Sequence, residues 1–525
     1  MTILEIALFL SIAAHLLVFM MKPDSLHLNA KNLTFVVGTV LVIQLLVDGY
    51  RWQLIPVYVV YVVLALLSLK RSPPRLLWRI VSSVVALLIL VPTLFVVIQM
   101  PLVTWPEPAG PYAVGTFDLS VVDESRQERF DPKRKRKLYL QMWYPTEQSI
   151  ADPYPKRSLY RDLHSGDGEG GLFQIVFSYL HNVTTHSHNE SPIAQGKRFP
   201  VLIFNPGFMV WTDSNTLLME HLASNGYVIV GIGHPYETSI NLAGFPLLAR
   251  QVPGDVTLGE DPSPDFLYFA GGGDLVDRSP IPSERKQIFV AVSEVLEQFS
   301  AAPDIAARRK IVKEALRNPD ELGFLETNVS EDVLNNFLMT RMHMNLSTQT
   351  WVEDTAFVVD NITNIEVPID GFSSAFSIEK LGVFGVSFGG STAGEFCKID
   401  SRCDAGSNLD GMQWGAHWRT ALKVPFLRWS NDGIRGENDF SYLPHDEDFL
   451  DYQVRDSLHG DFLDIPYVFP HSSMLGIKGE IDGLRMIEII NGVQLEFFDQ
   501  HLKGKPKTGN LLNLYPEIIG SHSGQ

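Results

Sequence analysis

The chain has 525 residues, 45% of them apolar, and a formal net charge of −18, a length that accommodates more than one unit of typical domain size. Residues 1–100 hold seven Lys/Arg and three acids, a net of +4, so the rest carries −22. So acidic a remainder lacks the basic footprint that nucleic acid demands and is repelled by an anionic membrane surface except through a locally basic face. Two cysteines, Cys397 and Cys403, make neither a disulfide-dense framework nor a tetrahedral zinc site.

In chain order, the first features are four apolar stretches at about 3–20, 33–47, 52–69 and 76–100. A spanning helix needs ~20 apolar residues; the first and last stretches reach that length and the middle two fall slightly short. The first lacks the basic leader and small-residue cleavage site of a signal peptide, so it reads as a retained helix. Basic residues concentrate in the first and third connecting loops (Lys22 and Lys31; Lys70, Arg71 and Arg75), with Arg51 alone in the second. The positive-inside rule therefore places loops one and three in the cytoplasm, and both termini opposite. The expectation is a multi-pass protein of the cell membrane, with an extracytoplasmic domain after a transmembrane segment at 1–101.

A proline-rich connector at 105–111 cannot continue a helix, and strands are predicted at 113–122 and 137–144. The run Lys133-Arg134-Lys135-Arg136-Lys137 between them reads as a solvated hairpin tip, the alternative being a contact with lipid headgroups. Residues 150–195 read as a polar, irregular tract; its three histidines, His181, His186 and His188, lack a carboxylate at ligand spacing, so no metal site is expected.

Short apolar runs at 201–205, 227–231, 381–386 and 425–429, bounded by turn residues and alternating with helical patterns such as 212–224, indicate buried strands of a mostly parallel sheet. An insertion at about 237–378 separates the second from the third. It begins rich in Gly and Pro and continues with helices predicted at 287–299, 305–316 and 331–344. It is too long for a plain connection and reads as a helical cap. The fold class expected is α/β, with residues 102–525 as one sheet domain carrying that cap.

The decisive segment is Gly385-Val386-Ser387-Phe388-Gly389, a G-x-S-x-G pattern preceded by an apolar strand and followed by residues able to open a helix. That context marks a nucleophile elbow, in which a strained turn lifts a serine oxygen above the sheet. The amide of Phe388 then points to where negative charge develops. A second donor comes from the loop after an early strand, here Asn205-Pro206-Gly207-Phe208; Pro206 cannot donate, which leaves the Phe208 amide. The order serine, acid, histidine selects His459, on a polar loop past the last clear strand, with His471 in reserve. Two acids compete, Asp410 and Asp432, and spacing leaves both open.

Several segments together resemble the plasma-type platelet-activating factor acetylhydrolase family and its bacterial relatives: 110–115, Trp143-Tyr144-Pro145, Phe204-Asn205-Pro206-Gly207-Phe208, Gly233-His234-Pro235-Tyr236, 385–390, Leu409-Asp410-Gly411 and His459-Gly460-Asp461-Phe462. The resemblance implies an α/β-hydrolase fold without metal or cofactor. It implies a Ser387–His459–Asp410 triad, with Asp410 preferred over Asp432, and oxyanion donors at Phe208 and Phe388. It also implies hydrolysis of carboxylic esters, small-molecule or lipid, short or oxidised phospholipid acyl chains among them. This chain departs in having Asn205-Pro206 where the family has His-Gly, and Val386 where it often has His. The rival readings are a non-catalytic membrane-anchored interaction protein that keeps the fold, and a transporter or sensor. Cys397 and Cys403 form either a local disulfide, if the domain meets an oxidising compartment, or two reduced thiols.

Overall fold

The computed structural model describes residues 1–21, 30–70, 75–129, 131–159, 176–238, 282–317, 331–369, 371–417, 420–432, 448–507 and 511–522. Two compact units divide the chain: residues 1–107, 156–185 and 465–476, and residues 108–155, 186–464 and 477–525. Lys22 and Arg71, and the glycine- and proline-rich start of the insertion, lie outside the described residues.

In the first unit the four apolar stretches are helices, α1 (Ile3–Met21), α2 (Ala30–Val47), α3 (Ile55–Leu69) and α4 (Leu76–Gln99). Each stretch, with α3 extended by a single 3₁₀ turn at Trp52–Leu54, is long and apolar enough to cross a membrane. A helix keeps every backbone group bonded within its own segment, the form that a hydrocarbon environment demands. The outer surface stays apolar: Leu10, Leu46, Leu66 and Leu88 are all more than 60% exposed, a surface that water would not tolerate. Several polar groups turn inward and pair. Glu5 bonds Arg51, which also donates to the Met100 carbonyl, and the Tyr58 hydroxyl donates to Gln44 at 2.9 Å. The cost of leaving buried polar groups unpaired favours this pairing. The 3₁₀ turn at Ser178–Asn182 and a short strand, β3 (Lys156–Ser158), belong to this unit as well.

The second unit is built on a mixed sheet of β1 (Ala113–Gln127), β2 (Lys135–Thr146), β4 (Thr184–Asn189), β5 (Phe199–Asn205), β6 (Val228–Gly233), β7 (Phe376–Val386), β8 (Ala405–Leu409), β9 (Phe426–Ser430), β10 (Phe449–Val454) and β11 (Ile518–His522). Their order is β11-β10-β9-β8-β7-β5-β6-β2-β1-β4. The pairs from β6 through β10 are parallel; β2 joins β6 antiparallel, as β11 joins β10. Every residue of β5, β6 and β8 is buried, as expected of parallel strands covered on both faces. One face carries α9 (Phe388–Ile399) and the C-terminal half of the long helix α8 (Glu331–Asn361), through Ala393, Phe396, Val352, Val358 and Val359. The other carries α5 (Thr216–Ser224) and α10 (Gly483–Lys503), through Leu218, Leu222, Ile489, Val493 and Phe497. The expected α/β class and mostly parallel sheet are what the chain forms.

Several elements differ from the sequence reading. The insertion contains α6 (Pro282–Ala301), α7 (Ile305–Ala315) and α8; α8 runs well past the predicted end at 344, and its second half joins the main core. β7 already begins at Phe376, inside the span drawn as insertion. The polar tract near 184–189 is no irregular loop: β4 pairs parallel with β1, its polar side chains finding partners within the fold, as where Glu220 accepts from the Ser187 hydroxyl at 2.6 Å. The hairpin tip is shorter than expected because β2 starts at Lys135. Period-two alternation then puts Arg136 on the same side as Leu138 and Leu140, so it is buried while Lys135 and Lys137 stay exposed. Cys397 and Cys403 are joined in a disulfide.

Candidate active site

Ser387 stands between β7 and α9 with φ 55° and ψ −122°, a region sparsely populated by residues with a side chain. Its neighbours hold it there. The Ser387 amide donates to the Leu409 carbonyl at 2.8 Å. Two glycines make the turn sterically feasible: a Cβ at Gly389 would fall 1.9 Å from the Asn205 carbonyl oxygen, and one at Gly385 would fall 2.3 Å from the Gly389 carbonyl carbon. This is the strand–turn–helix geometry that raises a serine oxygen above a sheet, at the C-terminal edge of the parallel strands where sheets of this kind bind ligands.

The loop after β5 lies beside that turn. A Cβ built on Gly207 would sit 3.4 Å from the Ser387 Cβ. The Phe208 ring meets the Phe388 ring edge-on at 5.8 Å, and the Met209 amide bonds the Glu237 carbonyl at 2.8 Å. Phe208 and Phe388 are therefore neighbours across Ser387. Phe388 opens α9, where first-turn amides have no intrahelical acceptor.

Asp410 follows β8 and, like Ser387, has a positive φ, 57°. Asn408 braces its turn, accepting from the Gly411 amide at 2.7 Å and donating to the Gly411 carbonyl at 2.9 Å. The buried Asp410 carboxylate accepts the Asn431 amide at 2.7 Å, the Asn431 side chain at 2.8 Å, and the Nδ1–H of His459 at 2.6 Å. His459 is half-exposed and opens a 3₁₀ turn after β10. Burial alone would lower its pKa, but the hydrogen bond and the charge of Asp410 outweigh that and raise it above the ordinary histidine value. Asp432, the competing acid, is otherwise engaged: its carboxylate accepts the Asp456 amide at 3.0 Å, securing the loop that leads to His459. His471 belongs to the other compact unit.

Three supports went unassigned in the sequence. Asp461 accepts the amides of Leu458 and Gly479 at 2.7 and 2.6 Å, fixing the turn that bears His459; its signal was its place in the His459-Gly460-Asp461-Phe462 segment. Asn431 had no signal. The third is a buried network behind the Phe208 loop. His234 donates Nδ1–H to Asp354 at 2.8 Å and sets its Nε2 2.9 Å from the Asn205 side chain. Arg136 bonds both Asp354 and Glu128, at 2.6 and 2.7 Å. The segment Gly233-His234-Pro235-Tyr236 flagged one member; Asp354 lies mid-helix in the insertion, where nothing local marks it.

A parallel sheet flanked by helices, with a serine on a strained elbow at its C-terminal edge, defines an α/β-hydrolase fold. A ferulic acid esterase from Streptomyces cinnamoneus superposes with a TM-score of 0.51 at 21% identity, covering 80% of this chain and 99% of the esterase. The family described as platelet-activating factor acetylhydrolase, isoform II, matches residues 97–243. Among similar proteins, the platelet-activating factor acetylhydrolase of Cavia porcellus is 20% identical over 411 residues, 76% of this chain and 78% of the relative. That of Canis lupus familiaris is 22% identical over 412 residues, 76% and 77% of the two chains. A probable 1-alkyl-2-acetylglycerophosphocholine esterase of Arthroderma benhamiae is 21% identical over 460 residues, 79% and 92%. The resemblance read from the sequence is thus found over most of the second unit.

Proposed function

We propose that the chain is a carboxylic ester hydrolase of the platelet-activating factor acetylhydrolase type, anchored in a membrane by α1–α4, working through a Ser387–His459–Asp410 triad. The observation that carries this reading is the Asp410–His459 hydrogen bond beside the strained Ser387 turn. In the first half-reaction Nε2 of His459 takes the Ser387 proton as Oγ attacks the ester carbonyl. The Phe208 and Phe388 amides stabilise the oxyanion, a contribution worth about 10²–10³ in turnover per donor, and Asp410 steadies the imidazolium. His459 then protonates the leaving alcohol and activates the water that releases the acid. The inserted helices α6–α8 act as the cap. Short-chain esters, those of phospholipids among them, are the substrates to screen, and hydrolysis of p-nitrophenyl acetate by the full chain in detergent is the direct test. An inert, folded preparation would favour the non-catalytic reading, since fold alone confers no activity.

The titration of His459 supplies a sharper check. A general base must be neutral, so kcat/KM falls as pH drops through the raised His459 value, and its acid limb lies above that of an unperturbed histidine near 6.5. Asp410→Asn removes both the hydrogen-bonded anion and its charge; the limb then moves to lower pH while the plateau drops. A limb at or below the ordinary histidine value in the wild type would contradict the pairing.

The positive-inside count and the Cys397–Cys403 disulfide, which suits an oxidising compartment, support an extracytoplasmic hydrolase unit. A membrane-impermeant fluorophosphonate is expected to label the chain in right-side-out vesicles. Labelling only after permeabilisation would reverse the topology.

A further inference from the structure

Arg341 lies on α8, where its guanidinium stacks 4.7 Å from the Trp414 ring centroid and 5.1 Å from that of Phe337. The side chain is partly exposed, its Nε is buried without a hydrogen-bond partner, and among the described residues no carboxylate pairs with it. A buried cation normally comes with a partner, because desolvating a charge is costly. Among the described residues the buried arginines of this unit obey that rule, Arg136 with Asp354 and Glu128 and Arg428 with Asp451, whereas the partly exposed Arg341 leaves its guanidinium free to meet a ligand. Burial pushes the Arg341 guanidinium down only to about 10, so it keeps its charge at neutral pH.

Its position belongs to the site. Trp414 and Phe208 pack against a cluster of Met344, Trp351 and Phe388, the last of these adjoining Ser387. The Trp414 amide donates to the Ser391 hydroxyl at 2.7 Å, and the next amide, of Gly415, donates to Asn345 at 3.0 Å. Arg341, Met344 and Asn345 share one face of α8, being three and four residues apart. A cation thus packs on Trp414, which itself packs on the apolar cluster that includes Phe388, the residue after the serine. The sequence after residue 100 is strongly acidic and repels anions at long range, so an anionic ester needs a local positive group to stay bound.

Resting on the ester-hydrolase reading, we infer that Arg341 is a specificity-determining residue that binds an anionic oxygen group, phosphodiester or carboxylate, carried by the substrate a few bonds from the scissile carbonyl. The planar guanidinium suits either group, since both offer two oxygens to its fork of donors.

The test uses the full chain in detergent with matched substrates. One pair is mono-p-nitrophenyl glutarate against p-nitrophenyl valerate. The other is a short-acyl glycerophosphodiester against the same acylglycerol without phosphate. Charge-assisted hydrogen bonds of this sort predict that Arg341→Gln lowers the ratio of kcat/KM, anionic over neutral, by about 10- to 100-fold in at least one pair. Arg341→Lys should retain part of it, and the sensitive pair identifies which anion the site takes. A second measurement needs no variant: glutarate or glycerophosphate should inhibit wild-type hydrolysis of the neutral ester better than glutaramide or glycerol does. An unchanged ratio in both pairs, or equal inhibition by charged and uncharged analogues, overturns the assignment. Failure of the wild type to hydrolyse any of the four esters overturns the underlying enzymatic reading instead.

Discussion

Ser387→Ala is expected to lower kcat/KM for p-nitrophenyl esters by about 10⁴–10⁶ and to abolish fluorophosphonate labelling. It should leave the thermal unfolding midpoint of the full chain within a few degrees of wild type. The two outcomes separate because of where the residue sits. Ser387 occupies a positive-φ turn, and alanine keeps the Cβ, so the backbone meets the same steric conditions in both proteins. What alanine removes is the oxygen alone. Undiminished turnover would mean that another residue is the nucleophile, and a collapse of the unfolding midpoint would mean that the hydroxyl serves structure.

The second large effect concerns stability. Asp354→Ala is expected to destabilise the protein by about 3–5 kcal/mol, the usual consequence of breaking a buried ion pair by removing one partner. Asp354 is fully buried and accepts from Arg136, Arg126 and His234. Burial alone would raise its pKa. The charge of Arg136 and the bonds from His234 and Arg136 outweigh this and hold the carboxyl well below the usual carboxylate range. The folded value is depressed, so the stabilisation is present above the unfolded pKa of about 4 and is lost as pH falls below it. Chemical denaturation in detergent at neutral pH and near pH 3 measures both parts; the gap between wild type and variant should narrow in acid. A loss under about 1 kcal/mol at neutral pH would show that Arg136 finds adequate partners elsewhere. The same variant frees His234 from Asp354, and with it the Asn205 side chain at the start of the Phe208 loop, so its kcat should fall as well.

Much of the fold was legible because its signals are local. A G-x-S-x-G segment between an apolar strand and a helix start lies within about a dozen residues, and the steric demands that place glycines at 385 and 389 act within that turn. The four apolar helices of membrane-spanning length are written in run length and composition. The parallel strands announced themselves because burial on both faces forces continuous apolar runs. Where such cues fail, so did the reading. β4 is polar and shows no apolar run, and β10 and β11 were not anticipated. Arg136 looked solvated within a basic run until strand alternation turned it inward.

For this protein, then, the amino-acid order alone determined the serine elbow, the apolar spans and the α/β class, since each follows from interactions among near neighbours. Tertiary structure alone decided that the His459 imidazole bonds Asp410 and that Asp432 braces the adjoining loop. It also decided that Asp354 neutralises Arg136 and that Arg341 has no counter-charge among the described residues. These pairings join residues tens to hundreds of positions apart, and which charge meets which is settled only when packed strands and helices bring them together and exclude the water that would otherwise solvate each one separately.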